Sequence, residues 1–332
     1  VKTLNLNEMK KMRSLLVVCV SILSAMTISA QSVSFSPNWK SGDKVTYSFA
    51  QKEVRKSGAE SSTVEKAVVL NLKVVSKSAD GYIMNATYEN PVEKGSDEMS
   101  AALFKLNDGL SFDYKLDASG KLIGLVDSAK VVSDMKELME KAAKVDQSLA
   151  LALLFAGASL SDDMYLAGLL DEVCYIHSLN NLTLEPKKTV EQKNNKTTIF
   201  GFSVLAPYQY TLQSVNGNVV NVKSSAVVNN DVIMPAFVDF SIQMMSGVMN
   251  NMSAMFAKEG EQKVDMNEIM KQRTEIEKKF KETFDMKITD NFTYSYDKST
   301  HWMTSVSGSS VVKGKAEDKN INVTTETKIT KK

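Results

Sequence analysis

Cys174-Tyr175-Ile176-His177 sets a thiol and an imidazole one helical turn apart. On a helix, residues three apart lie on neighbouring positions of one face. That pairing is half of a tetrahedral metal site or the start of a thiol–imidazole nucleophile. The stripe around it, Leu166, Leu170, Cys174 and His177, is otherwise apolar, and there is no second Cys/His cluster. A structural zinc site needs four ligands. The favoured reading is therefore a cysteine that packs as a small buried hydrophobe. His301, just before Trp302, is expected at a turn, and no Gly-x-Ser-x-Gly elbow accompanies either histidine.

Methionines are the next candidates. Met234, Met244, Met245, Met249, Met252 and Met255 fall within one expected helix. Thioethers can hold copper(I) or line an adaptable apolar groove. No histidine lies among them, so core filling is the simpler reading, and Met245, Met249, Met252 and Phe256 stand as the candidate ligand-binding residues. Asp239, Gln243, Asn250 and Asn251 interrupt the run and argue against a membrane span.

The carboxylates show no catalytic pattern. Asp162-Asp163 suits the positive end of a helix dipole, and Asp171-Glu172 lies within a helix. The sequence has no phosphate-cradling glycine loop, HExxH, calcium loop or basic aromatic patch. No metal and no cofactor are expected.

The elements that must position these residues are mostly strands. Leu70, Leu72 and Val74 alternate with polar residues, as do Phe112, Tyr114 and Leu116, then Phe292, Tyr294 and Tyr296, then Ile321, Val323 and Ile329. Period-two alternation marks antiparallel strands with one packed face and one wet face. Asp80-Gly81 and Asn216-Gly217 each separate two such runs and supply the positive φ of tight turns. The hairpins Leu72–Asn90 and Leu212–Asn230 are each followed by a second pair, Phe112 to Leu122 and Phe292 to Trp302. The order is the same in both halves, which predicts a diverged internal repeat.

Helical stripes interrupt the strands. One carries Val131, Met135, Leu138, Ala142 and Val145. Others are expected over Leu149 to Phe155, over Asp162 to His177, over the methionine run with Pro235 in its first turn, and over Val264 to Phe284. Lys258-Glu259-Gly260-Glu261 is expected to be the turn between the last two. The predicted fold is α+β: two related antiparallel β-units with interspersed helices packed against the sheets. Residues 31–180 form the first unit and its helices, and 181–332 the second with a Met-rich helical insertion.

Residues 1–30 stand apart. Met9-Lys10-Lys11-Met12-Arg13 is basic, Ser14 to Met26 is apolar, and Ile28-Ser29-Ala30 precedes Gln31. This is the grammar of a secretory signal peptide, with cleavage expected near Ala30. The apolar stretch is short for a span, which needs about 20 residues. Without residues 1–30, 36 basic and 38 acidic residues remain, a net charge of −2. That balance does not favour nucleic acid. Cys174 is then the only cysteine, so no internal disulfide forms and packing must supply the stability.

The Ala30-Gln31 junction, Pro37-x-Trp39-x-x-Gly42-Asp43-Lys44 and Tyr114-x-x-Asp117-x-x-Gly120-x-Leu122 together resemble a secreted family of envelope proteins from Bacteroides-type bacteria. Asp127-Ser128-Ala129 is similar to the O-glycosylation acceptor of that group. The export signal implies a periplasmic or extracellular location, with outer-membrane association as an option, and the resemblance brings no activity or site residues. Periplasmic lipoprotein carriers have a comparable plan of curved sheet and helices, an analogy at the level of fold alone. The expected function is non-catalytic binding of an apolar ligand, a lipid or a protein partner in the envelope. A carboxylate-based hydrolase or a structural assembly module is the alternative.

Overall fold

A computed structural model of the chain describes residues 32–145, 166, 168–199, 202–256, 273–316 and 319–332. The strands are β1 (Val33–Ser34), β2 (Lys44–Ser57), β3 (Glu60–Ser78), β4 (Gly81–Lys94), β5 (Ser111–Asp117), β6 (Leu122–Leu125), β7 (Thr183–Leu184), β8 (Thr189–Ile199), β9 (Phe202–Asn216), β10 (Val219–Val228), β11 (Phe284–Asp297), β12 (Trp302–Ala316) and β13 (Lys319–Lys331). The helices are α1 (Glu98–Lys105), α2 (Ser128–Val145), α3 (Asp171–His177), α4 (Asn230–Phe256) and α5 (Arg273–Thr283).

Eleven strands form one antiparallel sheet in the order β6-β5-β4-β3-β2-β13-β12-β11-β10-β9-β8. The chain starts at the centre with β2 and meanders to one edge at β6. It crosses over, enters again at the other edge with β8, and meanders back to the centre at β13. The seam between the two meanders is the β2–β13 ladder, where Phe49 pairs with Ile329 and Tyr47 with Lys331. β1 and β7 form a separate two-stranded pair.

This corrects the α+β expectation: the described residues are mostly β, with few helices. Two of the helical pieces are insertions between strands, α1 after β4 and the α4–α5 hairpin after β10. The strands of both meanders meanwhile share one ladder system rather than forming separate sheets with helical layers.

Alternation explains the strands. Val45, Tyr47 and Phe49 of β2, Leu70, Leu72 and Val74 of β3, and Phe112, Tyr114 and Leu116 of β5 all point to the buried face. The intervening Lys, Ser, Thr and Asn residues face water, as expected of a half-covered antiparallel sheet. The two sequence-marked turns close β3–β4 at Gly81 and β9–β10 at Gly217, both with positive φ. A bulge in β4 absorbs Pro91, which cannot donate to a ladder, next to Asn90 at φ 54. α1 is capped by Asp97, whose side chain accepts from Ser100 N. Asp127 does the same for α2 by accepting from Lys130 N at 2.9 Å.

α2 buries Val131 and Met135, with Leu138 packed against the core. Pro235 lies inside α4 rather than in its first turn, because that helix begins earlier, at Asn230. The expected helix over Leu149 to Phe155, the start of the one over Asp162 to His177, Ile269 and the Lys258–Glu261 turn lie outside the described residues. No helix among the described residues is long and apolar enough to cross a membrane.

Candidate functional site

The two faces of the sheet differ in kind. On the covered face the strand tyrosines act as rivets. Each buries its ring in the core and finds an acceptor for its hydroxyl there, Tyr82 and Tyr88 in the overlying layer and Tyr47 and Tyr208 on other strands of the sheet. Tyr47 Oη donates to Met303 O at 2.9 Å, and Tyr82 Oη to Pro37 O at 3.1 Å. Tyr88 Oη lies 2.9 Å from Leu169 O and 2.7 Å from Glu172 Oε2. Tyr208 donates to Asp290, a carboxylate only 1% exposed. Burial, together with the Asp290 charge, pushes the Tyr208 hydroxyl far above the usual tyrosine range.

A strap from Val33 to Asp43 crosses this face, and two equivalent turns hold it. Asp117 accepts from Ser119 N and Ser119 Oγ in the β5–β6 turn, and Asp297 from Ser299 N and Ser299 Oγ in the β11–β12 turn. Burial works against the Asp117 carboxylate, but bonds from Ser119 and Lys121 leave it below its ordinary range. Ser299 foremost lowers Asp297. The first turn presses Gly120, at φ +87, against Pro37. The second carries His301 at φ 59, whose Nδ1 donates to Ser36 O at 3.0 Å. Trp39 Nε1 donates to His301 O at 3.0 Å.

α3 lies on the same face and separates the predicted Cys–His pair. Its buried stripe is Val173, Ile176 and His177, which leaves Cys174 on the exposed side. The expectation of a buried cysteine is corrected accordingly. His177 accepts from Asn180 Nδ2 on Nδ1 at 3.0 Å, so Nε2 carries the proton toward Tyr114 Oη at 2.9 Å. Burial lowers its pKa to about 3, and the ring is neutral. It serves as a polar core residue between Tyr114 and Trp39. Among the described residues no three His, Cys, Asp or Glu side chains gather as a metal would need.

Of the predicted methionine site, only the Met245 side chain is among those described. Met234 is fully buried and Met245 is 46% exposed. The α4 backbone continues through Met249, Met252 and Phe256, whose side chains lie outside the described residues.

A concavity of about 770 Å³ opens instead on the uncovered face, in mid-sheet. Two adjacent rungs form it. One runs Ser307–Lys328–Ala50–Ala67–Val92 across β12, β13, β2, β3 and β4. The other runs Ser309–Glu326–Lys52–Glu65–Lys94 across the same strands. The first has a floor of small apolar side chains. The second is a ladder of alternating charge, in which Lys52 pairs with Glu65 at 3.2 Å. Lys52 stands between Glu65 and Glu326, so the two carboxylates do not face each other. Lys328 and Lys94 make no ion pair among the described residues.

Sequence reasoning missed this furrow. Its residues occupy the polar phase of five strands. The available signal was two alanines, Ala50 and Ala67, standing in that phase where Lys, Glu, Ser and Thr prevail.

No protein family and no curated protein matches the chain. Among solved structures it is similar to lipovitellin, from a structure of lipid–protein interactions in that protein, with a TM-score of 0.37 at 9% identity over 89% of this chain. The match spans 25% of the lipovitellin chain, about a quarter of its length.

Proposed function

We propose that this chain is a non-catalytic binding protein of the cell envelope that holds an amphiphilic ligand in the furrow of its open sheet face. The observation that carries the reading is the Ala50–Ala67–Val92 floor beside a charged ladder, within about 770 Å³ of open space. Small-molecule sites are typically ~300–1,000 Å³, apolar with a few placed polar groups. The covered face favours the same conclusion from the other side, because aromatic rings fill it: Tyr47, Tyr114, Tyr210, Tyr294 and Tyr296 are all fully buried.

Export is part of the proposal. It rests on the basic, apolar and small-residue order of residues 9–30, and Val33, the first buried residue of the strap, follows directly. We also read the two meanders as copies of one ancestral unit, since their third and fourth strands are both split by helices and their strap turns use the same Asp–Ser bonds.

The test is binding of the neutral apolar fluorophore N-phenyl-1-naphthylamine to the full chain and to its Ala67→Arg variant. Ala67 is exposed, so the substitution changes stability by no more than ~0.5 kcal/mol. The expected result is at least tenfold weaker binding with an unchanged thermal midpoint. Equal binding by the two proteins would remove the furrow from consideration.

A further inference from the structure

The furrow is not electrically symmetric. Its two rungs carry three lysines against two glutamates. Lys52 is engaged by Glu65, which leaves Lys328 and Glu326 on β13 and Lys94 on β4, one positive charge in excess. The surroundings of Lys328 differ from those of Lys94. Ser307 is its lateral neighbour on β12, and Ser305 and Ser309 share that face of the same strand. Thr330 follows on β13, paired laterally with Ser48 of β2. Lys328 thus has hydroxyls lateral to it, which donate hydrogen bonds to an anion without neutralising the ammonium, while Glu326 stands two residues along β13 on the same face. On its other side the rung becomes apolar at once, through Ala50, Ala67 and Val92. Three interstrand steps separate Lys328 from Val92, a path of about 14 Å at ~4.8 Å per step. That is the reach of a medium-length acyl chain.

We propose that the ligand of the furrow is a single-chain amphiphile with a carboxylate head, seated on Lys328 and Ser307 with its chain lying across Ala50, Ala67 and Val92. This deepens the furrow reading above and rests on it. Lys94, beyond Val92 and one rung away, meets the distal end of the path and is not needed for the head.

Five probes separate the parts of the proposal: dodecanoate, dodecanol and dodecyltrimethylammonium below their aggregation limits, and acetate and inorganic phosphate as heads without a tail. Binding to the full chain is read by titration calorimetry and by methyl NMR shifts of Ala50 and Ala67. The expected order is dodecanoate tightest, dodecanol about tenfold weaker, the ammonium weaker still, and no saturable binding of acetate or phosphate. Lys328→Gln should weaken dodecanoate about tenfold, leave dodecanol unchanged and remove the salt dependence of dodecanoate binding. Lys223→Gln, on the distant β10, should change none of these. If the three amphiphiles shift Ala50 and Ala67 equally, and Lys328→Gln changes nothing, the anionic head is wrong while the furrow stands. Phosphate or acetate binding as tightly as dodecanoate overturns the acyl path. The absence of Ala50 and Ala67 shifts with every probe overturns both this inference and the function it rests on.

Discussion

Trp39 and Trp302 stack face to face, with ring centroids 4.0 Å apart and an interplanar angle of 16°. One belongs to the strap and the other opens β12, so a single aromatic contact ties the start of the described chain to the second meander. Trp39 also packs edge-on against Tyr82 of the first meander, at 5.4 Å. Trp39→Ala should therefore cost about 3–5 kcal/mol, the usual range for emptying a buried Trp site. Chemical denaturation measures the loss. The near-UV circular dichroism of the Trp pair should vanish in the same variant while far-UV signal persists.

His177 sets an acid limit. Its folded pKa of about 3 lies below the ordinary 6.5, so the unfolded chain takes up a proton first as pH falls. Its stabilising contribution is complete above pH 6.5 and is lost between there and about pH 3, at up to ~1.4 kcal/mol per pH unit. His177→Gln should remove that slope. Parallel stability–pH curves for the two proteins would show that the ring is not held neutral.

Glu172 works in the opposite sense. Burial, countered in part by Tyr88 and Lys66, raises its pKa above the ordinary 4.5. The folded state therefore keeps a proton that the unfolded state gives up, and stability falls as pH rises past that value. Glu172→Gln should gain on the native protein as pH rises above 4.5, as read from thermal midpoints across a pH series.

The Tyr208–Asp290 bond gives a further test. Asp290 lies 1% exposed on β11, and Tyr208 is one of its donors. Tyr208→Phe leaves a buried carboxylate with less compensation and should cost ~1–3 kcal/mol. Asp290→Asn alone should also destabilise. The double variant should cost less than the sum of the two, and a double-mutant cycle measures the coupling.

Gly120 marks the tightest approach of strap and turn. A Cβ there would lie 2.6 Å from Pro37 Cδ and 2.9 Å from Asn180 Nδ2, at a φ of +87. Gly120→Ala should cost more than ~1 kcal/mol, through strain at the left-handed backbone and displacement of the strap. Hydrogen exchange at the Phe35 and Asn180 amides, which bond Leu182 O and His177 O, should accelerate selectively.

Much of the local structure was legible in the sequence. Alternation gave the strands around Leu70, Phe112 and Tyr294, and Asp80-Gly81 and Asn216-Gly217 gave two hairpins. These features depend on neighbours in the chain. The β2–β13 seam does not: Phe49 and Ile329 meet only in the folded sheet, and no local pattern names their pairing. The same holds for the furrow, assembled from two or three residues on each of five strands. Cys174 shows a finer limit. A helical stripe places it near His177, yet which residues of a seven-residue helix face the sheet depends on how the helix lies, and Val173, Ile176 and His177 take that side.

The seam has a consequence for the order of folding. β2 and β13 are neighbours in the sheet, yet residues 58–318 lie between them in the chain. Until residues 319–331 have been synthesised, the fourteen-residue strand β2 presents a long unpaired edge, and so does β12. Such edges template pairing with other chains, and long-range antiparallel closure is slow. The strand of this sheet that comes last in chain order is thus the one that removes both hazards together.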